Sequence, residues 1–135
     1  RFNAYNPLAG GMLTNKYKNF EDTPSYGRFT NRPNYQNRYW KSSYFDGIRI
    51  VKEVCEKEGI SIVEATYRWM AFHSMLNETR GDGLIMGFSK FSQLQQNIEA
   101  IKQGVLPESI VSAFSKAWEL CRFDAPEYFT YYKGK

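Results

Sequence analysis

Two short segments of this chain have the residues of β-strands, and each is followed by a turn that contains glycine. Residues 2–5 alternate in polarity and are β-prone, and residues 7–11, with one proline and two glycines, cannot continue the strand. Residues 84–86 are uniformly apolar, which is typical of a parallel strand covered on both faces, and Gly87 follows them. Strand, turn and helix in this order present backbone N–H groups to phosphate. The two units together predict a dinucleotide site.

The rest of the chain is predicted to be mainly helical, with four helices against only two strands. Helical spacing of apolar residues predicts four helices, over residues 44–58, from 61 to about 72, from Ser89 or Ser92 to about 104, and from Pro107 to about 121. The spacing of Ser61 and Glu64 predicts a capping box at the start of the second. Parallel strands need paired edges and covered faces, so two strands do not make a complete sheet. We therefore expect a helix-rich part of a larger α/β protein.

Residues 16–42 form a polar segment rich in Asn, Arg, Pro and Tyr. Pro24, Gly27 and Pro33 interrupt any helical period in it, which predicts a long loop with exposed aromatic side chains. Loops of this length in compact domains are typically lids or binding segments, although a flexible surface insertion is the alternative.

Composition narrows the class of protein. The net charge of +4 is mild, and basic residues are mingled with acidic ones, which favours an ordinary solvated surface over a nucleic-acid partner. Cys55 and Cys121 are far apart in helical patterns, which predicts buried free thiols and a reducing compartment. The sequence has no apolar run of eighteen residues and no secretory leader pattern, so we expect a cytoplasmic protein without a membrane partner.

Several motifs, in family order and at near-family spacing, give the chain a resemblance to the aldo-keto reductases, in the branch of aflatoxin-aldehyde and succinic-semialdehyde reductases. The motifs are Tyr5-Asn6-Pro7-Leu8-Ala9-Gly10-Gly11-Met12-Leu13-Thr14 with Lys16-Tyr17, Gly27-Arg28-Phe29, Arg38-Tyr39-Trp40-Lys41, Arg68-Trp69-Met70, His73-Ser74, Gly87-Phe88-Ser89, Gln96-Asn97 and Tyr128-Phe129. The resemblance covers nearly all of the chain, and its motifs together are specific.

The resemblance implies that residues 1–135 are the C-terminal segment of a (β/α)8 TIM barrel. This segment would supply strands 7 and 8, their helices and the C-terminal helix, with residues 16–42 as the substrate and cofactor loop. Barrel enzymes place their sites at the carboxyl ends of the strands, so Tyr5 and Gly87 would both border the site.

The implied activity is NADPH-dependent reduction of aldehydes and ketones to alcohols. The family's tetrad of tyrosine, lysine, aspartate and histidine lies on earlier strands, so no catalytic residue and no metal ligand is expected here. His73 is the one histidine of the sequence, and we expect it to be a structural or a surface residue. The segment alone is predicted to be inactive and to need the N-terminal half of the barrel as its partner. The resemblance also implies a homodimer, because dimers are common in this family.

The resemblance also assigns cofactor contacts to the two glycine-bearing turns. The assigned residues are Tyr5, Asn6, Pro7, Leu8, Gly10, Gly11, Gly87, Ser89, Lys90, Gln93, Gln96 and Asn97. In the family, the first aromatic ring stacks on the nicotinamide and the backbone after it follows the pyrophosphate. Glycines at both positions of the first turn would allow close approach of phosphate.

Three further roles follow from the same resemblance. Ser89 and Lys90, at the start of a helix, would meet the 2′-phosphate of NADPH. Gln93 and Asn97 would reach the adenine and its ribose. Arg28 would hold the carboxylate of acidic aldehyde substrates, because its planar guanidinium suits bidentate contact.

Three other functions stay open on the sequence alone. One is an NADP-binding regulatory module of the same fold, as in potassium-channel β subunits. Another is a catalytically inert fragment that depends on a partner. The weakest is single-stranded nucleic-acid binding by the aromatic and basic residues from Arg28 to Lys41.

Overall fold

The structure, a computed structural model, describes residues 1–22, 24–25 and 27–126. Its elements in chain order are β1 (Asn3–Tyr5), a 3₁₀ segment (Ala9–Thr14), α1 (Pro33–Tyr39), α2 (Ser42–Lys57), α3 (Ile62–Phe72), a 3₁₀ turn (Glu78–Arg80), β2 (Gly83–Ile85), α4 (Phe91–Lys102), α5 (Glu108–Cys121) and a last 3₁₀ turn (Arg122–Asp124). The Tyr128-Phe129 motif lies outside the described residues.

The two predicted strands are present and pair with each other in parallel. Asn3 is opposite Gly83 and Tyr5 is opposite Ile85. At their amino ends the Asp82 carboxylate accepts the Phe2 N–H at 2.7 Å, which ties the start of β1 to the turn before β2. Since parallel strands end at the same edge, the segments that follow Tyr5 and Ile85 are brought side by side.

The four predicted helices are also present, and three of them enclose the main apolar core. The core consists of Val51, Cys55, Ile62, Ala65, Leu106, Ile110 and Ala113. Gly47 lets α2 approach α5 closely, because a Cβ there would lie 3.2 Å from the Cβ of Ala117. Not every apolar residue of these helices is buried, since Phe72 is 45% and Trp118 53% exposed.

Helix starts differ from the predictions in detail. The Ser61 hydroxyl accepts the Glu64 N–H at 3.1 Å as expected, but the Glu64 carboxylate bonds to Arg68 at 2.8 Å. Helix α4 begins at Phe91, and the Gln93 side chain, not that of a serine, caps it. Helix α5 begins one residue after Pro107, whose carbonyl accepts the Ile110 N–H at 3.0 Å.

The prediction of a long loop with exposed aromatic side chains over residues 16–42 was wrong in two respects, the helix at residues 33–39 and the burial of Phe29, although Phe20 is 40% exposed. Helix α1 lies within this segment and begins at Pro33, where the missing N–H of proline costs nothing. Phe29 is completely buried, with its ring centroid 5.1 Å from those of both Tyr17 and Trp40. Four aromatic residues of this segment thus form a small cluster around Phe29, namely Tyr17, Phe29, Tyr35 and Trp40.

Both cysteines are free thiols, with Cys55 buried and Cys121 half-buried. Within the described ranges, none of the helices is long and apolar enough to cross a bilayer.

Candidate functional site

A cleft of about 1170 Å³ opens where the two strands end. Its walls come from the segments after β1 and β2, from α3 and α4, and from Tyr35 of α1. Eleven of the twelve residues predicted to contact a cofactor line it, namely Tyr5, Asn6, Pro7, Leu8, Gly10, Gly11, Gly87, Ser89, Gln93, Gln96 and Asn97. Arg28 lines it as well, whereas Lys90 is absent from the lining. Residues up to ninety positions apart in sequence therefore meet in one cleft.

The turn after β1 has an unusual backbone. Asn6 has a φ of +57° and Ala9 has a φ of +48°, values that residues other than glycine rarely adopt. The Asn6 carboxamide fixes the turn at both ends, because its Oδ1 accepts the Gly10 N–H at 3.0 Å and its Nδ2 donates to the Tyr39 hydroxyl at 2.8 Å. Strained backbone of this kind persists where surrounding contacts determine it, and it is concentrated at functional sites.

The two glycines of this turn are required for different reasons. A Cβ on Gly10 would lie 2.7 Å from Cδ1 of Tyr35, so the packing of α1, in addition to a φ of +72°, requires glycine at this position. A Cβ on Gly11 would meet nothing closer than 3.9 Å, but its φ of +106° is one that other residues rarely adopt. The close approach at Gly10 is therefore made by a protein ring, while the space beside Gly11 is open.

The Tyr5 ring stands at the carboxyl end of β1 and is 56% exposed. An Arg38 guanidinium nitrogen lies 3.4 Å from its hydroxyl. An exposed aromatic face at the edge of a cleft is available for stacking on a flat ligand ring.

The start of α4 forms the opposite part of the cleft. The Gln93 side-chain oxygen accepts from the Ser89 N–H and hydroxyl, both at 3.0 Å, and from the Lys90 N–H at 3.2 Å. The backbone donors of Ser89 and Lys90, just before the helix, thus already have an internal acceptor, which the sequence did not reveal. Lys90 is exposed at this helix start, and Asn97, two turns further along, is buried.

Charges in the cleft leave an excess of positive potential. Its two glutamates are neutralised locally, Glu64 by Arg68 at 2.8 Å and Glu99 by Lys102 at 2.7 Å. Lys16 and Arg28 also line the cleft, and within the described part of the chain neither has a carboxylate at ion-pair distance. This arrangement favours an anionic ligand.

The cleft lining also contains three tyrosines that the sequence analysis had not named as site residues, Tyr17, Tyr35 and Tyr67. Tyr35 accepts a hydrogen bond from Arg28 at 3.0 Å, and Arg28 Cζ lies 5.4 Å from the centre of its ring. Tyr67 lines the cleft with its hydroxyl buried and unpaired among the described residues. Burial raises the pKa of Tyr67. Neither the Tyr35–Arg28 contact nor the position of Tyr67 in the cleft could be predicted from local sequence, because each depends on distances between separate elements.

His73 has the structural role predicted for it. Its Nε2 accepts the Leu106 N–H at 2.9 Å and so joins the end of α3 to the segment before α5. In the residues that the structure describes, no group of three or more His, Cys, Asp or Glu side chains could hold a metal ion. The cleft offers hydrogen-bonding groups, two cations and an aromatic face, which together form a binding surface for an extended anion.

Comparisons with known proteins agree with this geometry. The sequence pattern of the Aldo/keto reductase family matches residues 1–119. Aldo-keto reductase family 7 member A3 of Homo sapiens is 43% identical over 139 residues, covering 96% of this chain and 42% of that protein. Aflatoxin B1 aldehyde reductase member 2 of Homo sapiens is 41% identical over 139 residues, covering 96% and 38%. Oxidoreductase sirO of Leptosphaeria maculans is 34% identical over 135 residues, covering 95% and 40%.

The chain spans about 40% of the length of these relatives. The relatives include aflatoxin aldehyde reductases, as the motifs indicated. Because the family pattern matches from Arg1 to Glu119, the chain belongs to the Aldo/keto reductase family.

Proposed function

We propose that the full-length protein is an NADPH-dependent reductase of aldehydes and ketones, and that this chain supplies its cofactor cleft and substrate loop. In this proposal the chain is the C-terminal part of a (β/α)8 barrel, with β1 and β2 as strands 7 and 8. The parallel pairing of these strands and the coverage of about 40% of the relatives support that placement.

One observation carries the proposal. The eleven lining residues named above come from two segments far apart in sequence, residues 5–11 and 87–97, and they meet in a cleft that also holds Lys16 and Arg28. Among the described residues, neither of these two cations has a carboxylate at ion-pair distance. A nucleotide with a pyrophosphate and a further phosphate is an extended polyanion, which fits this combination of shape and charge.

Each part of the cleft has a role in this proposal. Tyr5 stacks on the nicotinamide, and the turn from Asn6 to Gly11 follows the pyrophosphate, with the open side of Gly11 available to it. The Lys90 ammonium approaches the 2′-phosphate from outside the lining, while Gln93 keeps the neighbouring amides oriented. Gln96 and the buried Asn97 lie toward the adenosine.

NADPH supplies the hydride that reduces the carbonyl. The protein groups that transfer the proton lie outside this chain in the proposal, whereas residues 1–126 orient the cofactor and hold the substrate. A homodimer and a cytoplasmic location stay predictions.

The test is a fluorescence titration of the full-length protein with NADPH and NADH. Lys90→Ala should raise the Kd for NADPH about 5-fold, because it removes a cation beside a phosphate, and should leave the Kd for NADH unchanged. Lys116→Ala, which removes an exposed lysine on α5, is the matched control. An equal change for both nucleotides would contradict the role of Lys90.

Turnover separates the reductase from a regulatory module. NADPH oxidation with 4-carboxybenzaldehyde should accompany binding in the full-length protein. Tight NADPH binding without oxidation of any aldehyde would instead support an NADP-binding regulatory protein of the same fold.

A further inference from the structure

Helix α1 contacts two parts of the cleft, the turn after β1 and the side chain of Arg28. Its contacts come from two tyrosines about one helical turn apart, Tyr35 and Tyr39. Their ring centroids are 5.9 Å apart, but their hydroxyl groups bond to different partners.

Tyr35 holds Arg28 in two ways. Its hydroxyl accepts from Arg28 Nη1 at 3.0 Å, and the guanidinium carbon lies 5.4 Å from the ring centre. The ring itself is fixed, because it packs against Gly10 and lies edge-on to the buried Phe29 at 6.2 Å. Arg28 is exposed and uses one N–H in this bond, so its other N–H groups remain available for an anion.

The Tyr39 hydroxyl also accepts a hydrogen bond, but from a different residue than the Tyr35 hydroxyl does. Its hydroxyl accepts from Asn6 Nδ2 at 2.8 Å, in the turn after β1. The structure therefore provides two equivalent hydroxyl groups on one helix, one bonded to Arg28 and one to Asn6 in the turn after β1.

We infer that Tyr35 is a positioning residue that sets the preference of this site for carboxylated over uncharged carbonyl substrates. It acts through Arg28, whose flexible side chain would otherwise lose conformational entropy when it binds a carboxylate. Holding the guanidinium in place before substrate binds reduces that loss and orients the remaining N–H groups. This inference rests on the proposed reductase function.

The experiment measures kcat/KM of the full-length protein for 4-carboxybenzaldehyde and for benzaldehyde, with NADPH saturating. Tyr35→Phe keeps the ring and removes the hydroxyl, and it should lower the ratio of the two kcat/KM values about 5-fold, through the KM of the charged aldehyde. Tyr39→Phe, the matched control on the same helix, should leave the ratio unchanged and raise the Kd of NADPH.

A double-mutant cycle shows whether the effect passes through Arg28. Arg28→Met should lower the ratio by more than Tyr35→Phe does, and adding Tyr35→Phe to Arg28→Met should change it no further. An unchanged ratio in Tyr35→Phe, or a further fall in the double variant, would overturn the inference. Tyr35→Met serves as a second variant without the hydroxyl should the first not fold.

Failure of the proposed function has a different signature. In that case the wild-type protein oxidises NADPH with neither aldehyde, and no ratio exists to be changed. A wild-type enzyme with turnover but equal changes in Tyr35→Phe and Tyr39→Phe would retain the reductase function and refute the specific role of Tyr35.

Discussion

The helical layer and the cleft side of this molecule are stabilised in different ways. In the helical layer, α2, α3 and α5 bury aliphatic and small side chains such as Val51, Ala65 and Ile110 at helical spacing. On the cleft side, the turn after β1 and α1 are held by aromatic contacts around Phe29 and by single hydrogen bonds to Asn6.

This difference indicates which substitutions should change the stability of the protein and which should change the geometry of the cleft. A periodic apolar face tolerates exchange of side chains of similar volume, because hydrophobic burial is not directional. A strained turn depends on individual contacts, since Ala9, with a φ of +48°, has no intrinsic preference for that conformation. We therefore expect substitutions in the first region to change mainly the free energy of unfolding, and substitutions in the second to change the geometry of the cleft as well.

The largest effect is expected in the helical layer. Ile110→Ala should lower the free energy of unfolding by about 4 kcal/mol, because the side chain is fully buried and its removal leaves a cavity. Urea unfolding measures this change. Val105→Ala, at a position 66% exposed, is the control and should change it by less than about 0.5 kcal/mol.

Ile110→Ala also tests whether the helical layer and the cleft side are independent of each other. Ile110 lies outside the cleft lining, so the Kd for NADPH of the folded Ile110→Ala protein should equal that of the wild type. A large change in Kd would show that the helical layer also sets the cleft geometry.

A smaller loss of stability, with a larger effect on the site, is expected at Gly10. Gly10→Ala should lower the free energy of unfolding by about 3 kcal/mol, because a methyl group would meet the Tyr35 ring at 2.7 Å and φ is +72°. Gly104→Ala is a matched control, with φ at +77° and no atom within 4 Å of the added carbon, and should cost about 1 kcal/mol. Equal losses would mean that Tyr35 moves aside without resistance.

The helical layer was largely predictable from sequence, because helical spacing of apolar residues is a local signal. The two strands and four helices were found within a few residues of their bounds. Helix α1 was missed because Pro33 was interpreted as an interruption, whereas at the first position of a helix it is well tolerated. The burial of Phe29 had no local signal, since its neighbours come from several segments.

The cleft was predictable only in part. Its lining followed from a resemblance to a family and from the parallel pairing that brings two distant turns together. The roles of Gln93 as a cap and Tyr35 as a partner of Arg28 were not foreseen. A hydroxyl or carboxamide has many acceptable partners, and the tertiary distances choose among them.

Acidification should test the strand pair that joins the two regions. Hydrogen bonds from the N–H groups of Phe2 and Asn77, with Arg80 nearby, lower the pKa of Asp82 from its ordinary 3.8. Because the folded-state pKa is the lower one, this contribution to stability is present above about pH 4 and is lost as pH falls through the folded-state pKa. Unfolding of the wild type should therefore become easier below pH 4.

Asp82→Asn is the variant that isolates this effect. It should be less stable than the wild type at pH 7, and the difference should shrink as the pH is lowered toward 3, in urea unfolding at a series of pH values. Asp46→Asn removes an exposed carboxylate on α2 and provides the control. Parallel loss of stability in wild type and Asp82→Asn on acidification would show that this carboxylate does not join the strands.

The smallest effect concerns the two thiols, which report on the interior and the surface of the helical layer. Burial raises the pKa of Cys55 to about 11 and also raises that of Cys121, which is only half-buried. At pH 8, iodoacetamide should therefore label Cys121 at least about 10-fold faster than Cys55, measured by peptide mass spectrometry. Cys121→Ser leaves Cys55 as the remaining thiol, and its slow labelling should persist. Equal rates would show that the helical layer opens readily, so that its packing would be no firmer than that of the cleft side.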